Sequence, residues 1–261
     1  MYYSPPWLGR GGQSLPTGRQ GWGGLSGLPR GAEGGEVEFN FQRNIGNMLS
    51  SYKTGNHKML TKDKLFSALE QIEDPAKKRL VFTGILSKEI VASGGKKPII
   101  VGGEAVEIYT QGSYTTGDID IKTSPEIMEE ILGVWGFEKV KGSRKIWFNE
   151  ALDIYLDWQG TGLDEGPEAE KRVNSIRISG DMDILVISFE DLITDRLCAA
   201  KFWKDTDSKM WAKALFEIAR ETGKVDIIYL RKRAEKENVS DLLNNILKNS
   251  SIDKNDIKKV F

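Results

Sequence analysis

From Thr61 onward the apolar positions recur at the three-to-four spacing of an amphipathic helix: Leu65, Phe66, Leu69 and Ile72, with Asp74-Pro75 breaking the run. A second helix is predicted through Leu80, Phe82, Ile85, Leu86 and Ile90, closed by Gly94-Gly95. The pattern then changes to a short apolar strand over 97–101, followed by a helix over 104–110 that starts at the Gly102-Gly103 turn. Residues 118–122 alternate carboxylate with isoleucine, as a half-buried strand does. Ser124-Pro125 supplies a cap and first turn for a helix ending near Gly136. Segments 145–148 and 152–158 are predicted as a hairpin joined by Asn149-Glu150-Ala151, and 175–178 and 184–188 as two further strands. Helix is predicted from Phe189 to Arg220, and a last helical pair over 225–248. This order predicts an α+β fold, a mixed β-sheet flanked by helices with a helical C-terminal part.

Two carboxylates stand out against that pattern. Asp118 and Asp120 are two residues apart in a strand and so share one face, while Ile119 and Ile121 turn to the core. Like charges side by side repel, and a divalent cation relieves the repulsion; hard oxygen ligands suit Mg²⁺ alongside substrate phosphates. Fourteen residues separate Asp118 from the upstream turn Pro98-Ile99-Ile100-Val101-Gly102-Gly103. Without a Cβ, Gly102 and Gly103 allow a phosphate chain to approach the backbone, and the N–H groups of the following helix start point toward it. By the same alternation Asp153, Tyr155 and Asp157 share a face of the hairpin strand, so either aspartate can supply a third carboxylate. Glu190-Asp191 opens a helix and completes its cap. Phe202, Trp203 and Trp211 are expected in packing, and Cys198 as a small buried hydrophobe.

Gly102-Gly103 followed by Asp118-Ile119-Asp120 resembles the signature of the DNA polymerase beta-like nucleotidyltransferase superfamily. More closely, Val101 to Val106, Thr116 to Asp120 and Glu190 to Leu197 resemble small prokaryotic members related to abortive-infection toxins, a likeness covering about residues 59–216. The resemblance implies an enzyme that moves an NMP from an NTP to an acceptor hydroxyl and releases pyrophosphate. It also implies Mg²⁺ on Asp118, Asp120 and a third carboxylate, for which it favours Asp157, the acidic residue before a Gly-containing loop. Gly102 and Gly103 would then meet the nucleotide, and Thr116 would bond either a phosphate or the Asp118 loop; Arg196, Lys201 and Lys204, at about helical spacing on the later helix, either neutralise the phosphates or form a solvated cationic face. The acceptor is open between protein, tRNA and small molecule. The rivals are a non-catalytic, antitoxin-like partner of the same fold and a metal-dependent phosphodiesterase. The latter has no need of the glycine turn.

Composition narrows the setting. Residues 1–37 hold eleven of the 28 glycines and four of the eight prolines without periodicity, so the stretch 1–40 is expected as a disordered low-complexity tail. The remainder divides into an α/β core over 59–188 and a helical part over 189–261. A net charge of −1 gives no global attraction to nucleic acid or anionic membrane. One cysteine precludes an intramolecular disulfide, and the single histidine, His57, precludes a multi-histidine metal site. No apolar run approaches the roughly 18 residues of a membrane span, and a cytoplasmic setting is expected.

Overall fold

A computed structural model describes residues 59–249; the glycine-rich stretch expected over 1–40 lies outside them. The described chain runs α1 (Lys62–Leu69), α2 (Pro75–Ala92), β1 (Ile99–Ile100), α3 (Gly102–Tyr109), β2 (Asp118–Lys122) and α4 (Pro125–Val134). It continues through β3 (Glu138–Lys139), β4 (Ile146–Asn149), β5 (Ile154–Trp158), α5 (Pro167–Glu170), β6 (Asn174–Ser179) and β7 (Met182–Val186). Four helices complete it: α6 (Phe189–Phe202), α7 (Thr206–Glu221), α8 (Ile227–Lys236) and α9 (Ser240–Asn249). The seven strands form one sheet in the order β3-β4-β5-β2-β1-β7-β6. It is mixed: β2 runs parallel to β5 and β1 parallel to β7, while β1–β2, β3–β4, β4–β5 and β6–β7 are antiparallel. The expected α+β class is the one observed.

Helix α2 is the central pillar. Asp74 caps it by accepting from the N–H groups of Ala76 and Lys77, and Pro75 fills a position whose N–H would have no partner anyway. Its middle is buried all round, and Gly84 lets it close onto the β6–β7 hairpin, where a Cβ would come 2.7 Å from Met182 Sδ. Ile100, Ile119, Ile121, Leu156, Ile184 and Val186 carry the sheet's apolar positions into the same core as Leu192, Ile193 and Leu197 of α6.

Four expectations need correction. The helix expected from Phe189 to Arg220 is two helices, because Lys204 takes a left-handed φ of 58° and Asp205 caps a new start by accepting from the N–H groups of Asp207 and Ser208. Phe202 and Trp203 consequently sit at a helix end, and Trp203 is 72% exposed where packing was expected. The hairpin turn is longer than three residues: Asn149 stays in β4, where its side chain ties the turn at Leu152 N–H to the carbonyls of Trp135 and Gly136. Asp153, with φ 52°, is in that turn and not on the strand face. Strand β3 and helix α5 have too few residues to show a period, and neither was expected.

Candidate active site

Register brings the carboxylates together. On the parallel pair β2–β5, Asp118 lies opposite Tyr155 and Asp120 opposite Asp157, so alternation places Asp118, Asp120 and Asp157 on one face. Each offers an oxygen within 4.8 Å of the others, and all three are half-buried. Asp153, the other candidate, is not in this group. Ile119, between the β2 aspartates, and Ile121, after them, are fully buried and fix the strand's facing.

The glycine turn faces this trio and touches it. Gly102 has φ 57°, and a Cβ there would stand 2.1 Å from Asp120 Oδ2. The Gly103 N–H donates to that same Oδ2 at 2.8 Å, and Gln159 Nε2 donates to Oδ1 at 3.2 Å. Gly103 is equally constrained: a Cβ would be 2.9 Å from Thr116 Oγ1 and 3.4 Å from the Tyr114 hydroxyl. Thr116 Oγ1 donates to Asp118 Oδ1 at 2.8 Å. Both glycines therefore make room for the aspartates and their supports, in addition to any approach by a phosphate chain.

Crowding three acids leaves an electrostatic mark. Burial, with the Asp118 charge behind it, pushes the Asp120 carboxyl up to about 7, against the opposing pull of the Gly103 N–H. Burial and Asp118 likewise push Asp157 up to about 6, while Lys145 and Gln159 favour its charged form. Asp157 Oδ1 is buried without a hydrogen-bond partner. A hard divalent cation fits this donor set, since it would neutralise the repulsion and satisfy that oxygen.

Of the expected phosphate-neutralising cations only one is near. Arg196 is within electrostatic reach of Asp120 and Tyr114 and forks onto its neighbour Asp195 at 3.0 and 2.5 Å. Lys201 is turned to the C-terminal helices, where Nζ donates to the Asn238 carbonyl and pairs with Asp241 at 2.9 Å. Asp191 does more than start α6. It completes a reciprocal cap with Ser188 and also accepts from the Tyr229 hydroxyl and Arg233 Nε, tying α8 to α6. Cys198 is half-buried against the core, and burial pushes its thiol up to about 11, which suits packing and not nucleophilic work.

Two site residues escaped the sequence reading. Gln159 follows β5 directly, and a polar side chain one step past an acidic strand end was its only signal. Tyr114, whose ring meets Trp211 edge-on at 5.0 Å, lies in a loop without period.

No family model matches the chain, and no curated protein matches it. Among solved structures, it is similar to the crystal structure of ANT(2'')-Ia in complex with adenylyl-2''-tobramycin, at 16% identity over 59% of this chain and 97% of that one, with a TM-score of 0.39. The solution structure of the antibiotic-resistance factor ANT(2'')-Ia is similar at 17% identity over 64% of this chain and 95% of that one, with a TM-score of 0.43. At those scores the function has to be argued from the site itself. Among the described residues, no helix is long and apolar enough to cross a membrane.

Gly102 offers a direct check on the turn. Gly102→Ala combines a left-handed backbone with a side chain driven into Asp120, and is expected to cost about 2 kcal/mol, read as a lowered urea midpoint at unchanged m-value.

Proposed function

We propose that the protein is a metal-dependent nucleotidyltransferase that moves an NMP from an NTP to an acceptor hydroxyl and releases pyrophosphate. One observation carries this reading: three carboxylates converge on a point beside a glycine turn whose N–H already serves one of them. A phosphodiesterase would use the carboxylates but has no need of the turn. A non-catalytic partner has no need of a buried, unpartnered Asp157 oxygen.

In this reading Asp118, Asp120 and Asp157 hold Mg²⁺, which when bound supplies positive charge against the triphosphate and lowers the acceptor hydroxyl's pKa. Gly102 and Gly103, at the start of α3, would meet the phosphates with no Cβ of their own in the way, and the partly buried Arg196 adds positive charge on the Asp120 side. Thr116 lies against the same turn. The acceptor oxygen attacks the α-phosphorus in line, the bond to the α–β bridging oxygen breaks, and pyrophosphate leaves with that electron pair. The acceptor's proton passes to an Asp157 carboxylate oxygen that is not engaged by the metal.

The test is a thermal-shift titration with Mg²⁺ and each of the four NTPs, followed by incubation of α-phosphate-labelled NTP with a cell extract. The expected result is an NTP-induced rise in Tm that requires Mg²⁺, and label transferred to one class of acceptor as pyrophosphate appears. Absence of a Mg²⁺-dependent shift with every NTP would remove the proposal.

A further inference from the structure

Resting on that reading of the site, we propose that Thr116 is a positioning residue: its hydroxyl, lodged against side-chain-free Gly103, sets the Asp118 carboxylate for the metal. Glu107 and Arg79 hold it in place from behind. The contacts form one chain. Arg79 on α2 pairs with Glu107 on α3; Glu107 Oε2 also accepts from the Thr116 N–H at 3.3 Å; Thr116 Oγ1 donates to Asp118 Oδ1 at 2.8 Å. Gly103 closes the arrangement from the front, since a Cβ there would lie 2.9 Å from Thr116 Oγ1 and 3.3 Å from Thr116 Cβ. Asp120 has its own support in the Gly103 N–H. Each β2 carboxylate is thus held by a group seated on the same glycine, so the turn works as a jig for the ligands. A hydroxyl committed to Asp118 has a different task from one offered to a nucleotide phosphate, and the two tasks separate experimentally.

Mn²⁺ binding, followed by the paramagnetic signal of free Mn²⁺ without nucleotide, reads ligand positioning alone. Thr116→Val keeps the shape and removes the donor, and is expected to weaken Mn²⁺ binding roughly 10-fold, while Thr116→Ser stays within about 2-fold of wild type. Gly103→Ala, which displaces the hydroxyl, is expected to weaken it to a similar extent. The double variant should be no worse than either single, because both act through the same bond. Thr116→Ala replaces the valine variant if that fails to fold. Unchanged Mn²⁺ affinity in Thr116→Val, with only the KM for NTP raised, would overturn the proposal and give the hydroxyl to the phosphates. If wild type takes up no Mn²⁺, the metal reading fails by itself. The positioning role is then decided by crystal structures of the metal-free proteins: Asp118 leaving its wild-type rotamer in Thr116→Val supports it, and an unmoved Asp118 ends it.

Discussion

Asp120→Asn is expected to abolish transfer and, in the absence of metal, to make the protein more stable. Asp120 is the most constrained of the three acids. It is grouped with Asp118 and Asp157, accepts from Gly103 N–H and Gln159, and its carboxyl is pushed up to about 7 by burial first and the Asp118 charge second. The unfolded chain releases this proton near 3.8, the ordinary value, so between about 4 and 7 the folded state binds more protons than the unfolded one. Stability contributed by this group is therefore fully present below about 4 and falls as pH rises to about 7. At pH 8 wild type carries the whole cost of an ionised Asp120; the amide carries none, and can accept from Gly103 N–H while Gln159 turns its own amide over. The expected gain is about 2 kcal/mol, a rise in Tm of roughly 5 °C, shrinking toward zero as the pH is lowered to 4. Adding Mg²⁺ should reverse the order, since wild type gains binding energy and the variant loses one of its charged ligands. Loss of several kcal/mol of metal-borne stabilisation corresponds to a fall in turnover on the order of 10³-fold. Calorimetry across pH with and without Mg²⁺, together with pyrophosphate release, checks all of this. Full activity in Asp120→Asn would remove the residue from the site.

How early each part of the site became legible follows from the range of the interaction that builds it. Asp118-Ile119-Asp120 was visible because a two-residue period is local, and the buried isoleucines enforce it. The third carboxylate was not local: alternation left Asp153 and Asp157 equal and only the family resemblance favoured Asp157, whereas the pairing of Asp120 with Asp157 across parallel strands separates them physically, with Asp153 in a left-handed turn. Gly102-Gly103 was legible as a turn, yet its partners Asp120 and Thr116 lie 13 or more residues on, so the closeness that makes glycine necessary appears only in three dimensions. Trp203 was misplaced for the opposite reason, since a helical period continued through a stretch where Lys204 and Asp205 end one helix and begin another. Nothing in the comparisons bears on the abortive-infection likeness, which stays with the three segments that carry it.

Arg79 shows what a local pattern conceals altogether, and carries the largest expected loss of stability. In Ala76-Lys77-Lys78-Arg79-Leu80 it looks like one more solvated cation on the first turns of a helix. In the fold it is only 8% exposed, with Nε 3.1 Å from Glu104 Oε2 and its guanidinium also on Glu107, both glutamates being 1% exposed. One arginine cannot neutralise two buried carboxylates, and burial pushes Glu104 up to about 8 even with Arg79 beside it. Burial thus favours the protonated form of both glutamates, and Arg79 is the charge that opposes it. Arg79→Met retains most of the packing but leaves the acids without a counter-charge, which is expected to cost about 3–5 kcal/mol. Without the arginine both acids are held further toward their protonated forms, so the variant's stability falls more steeply than wild type's as pH rises above about 4.5. The deficit should therefore be larger at pH 8 than at pH 5. Adding Glu104→Gln and Glu107→Gln removes the buried charge, and most of the loss is expected to return in urea denaturation. A single variant as stable as wild type at pH 8, or a triple variant no better than the single, would show that α2 and α3 are held by apolar packing alone. The triple variant also separates the two tasks of this cluster, because Glu107→Gln keeps a side-chain oxygen for the Thr116 N–H. Stability and Mn²⁺ affinity both close to wild type are the expected pairing, since the hydrogen bond from the Thr116 N–H to residue 107 is kept.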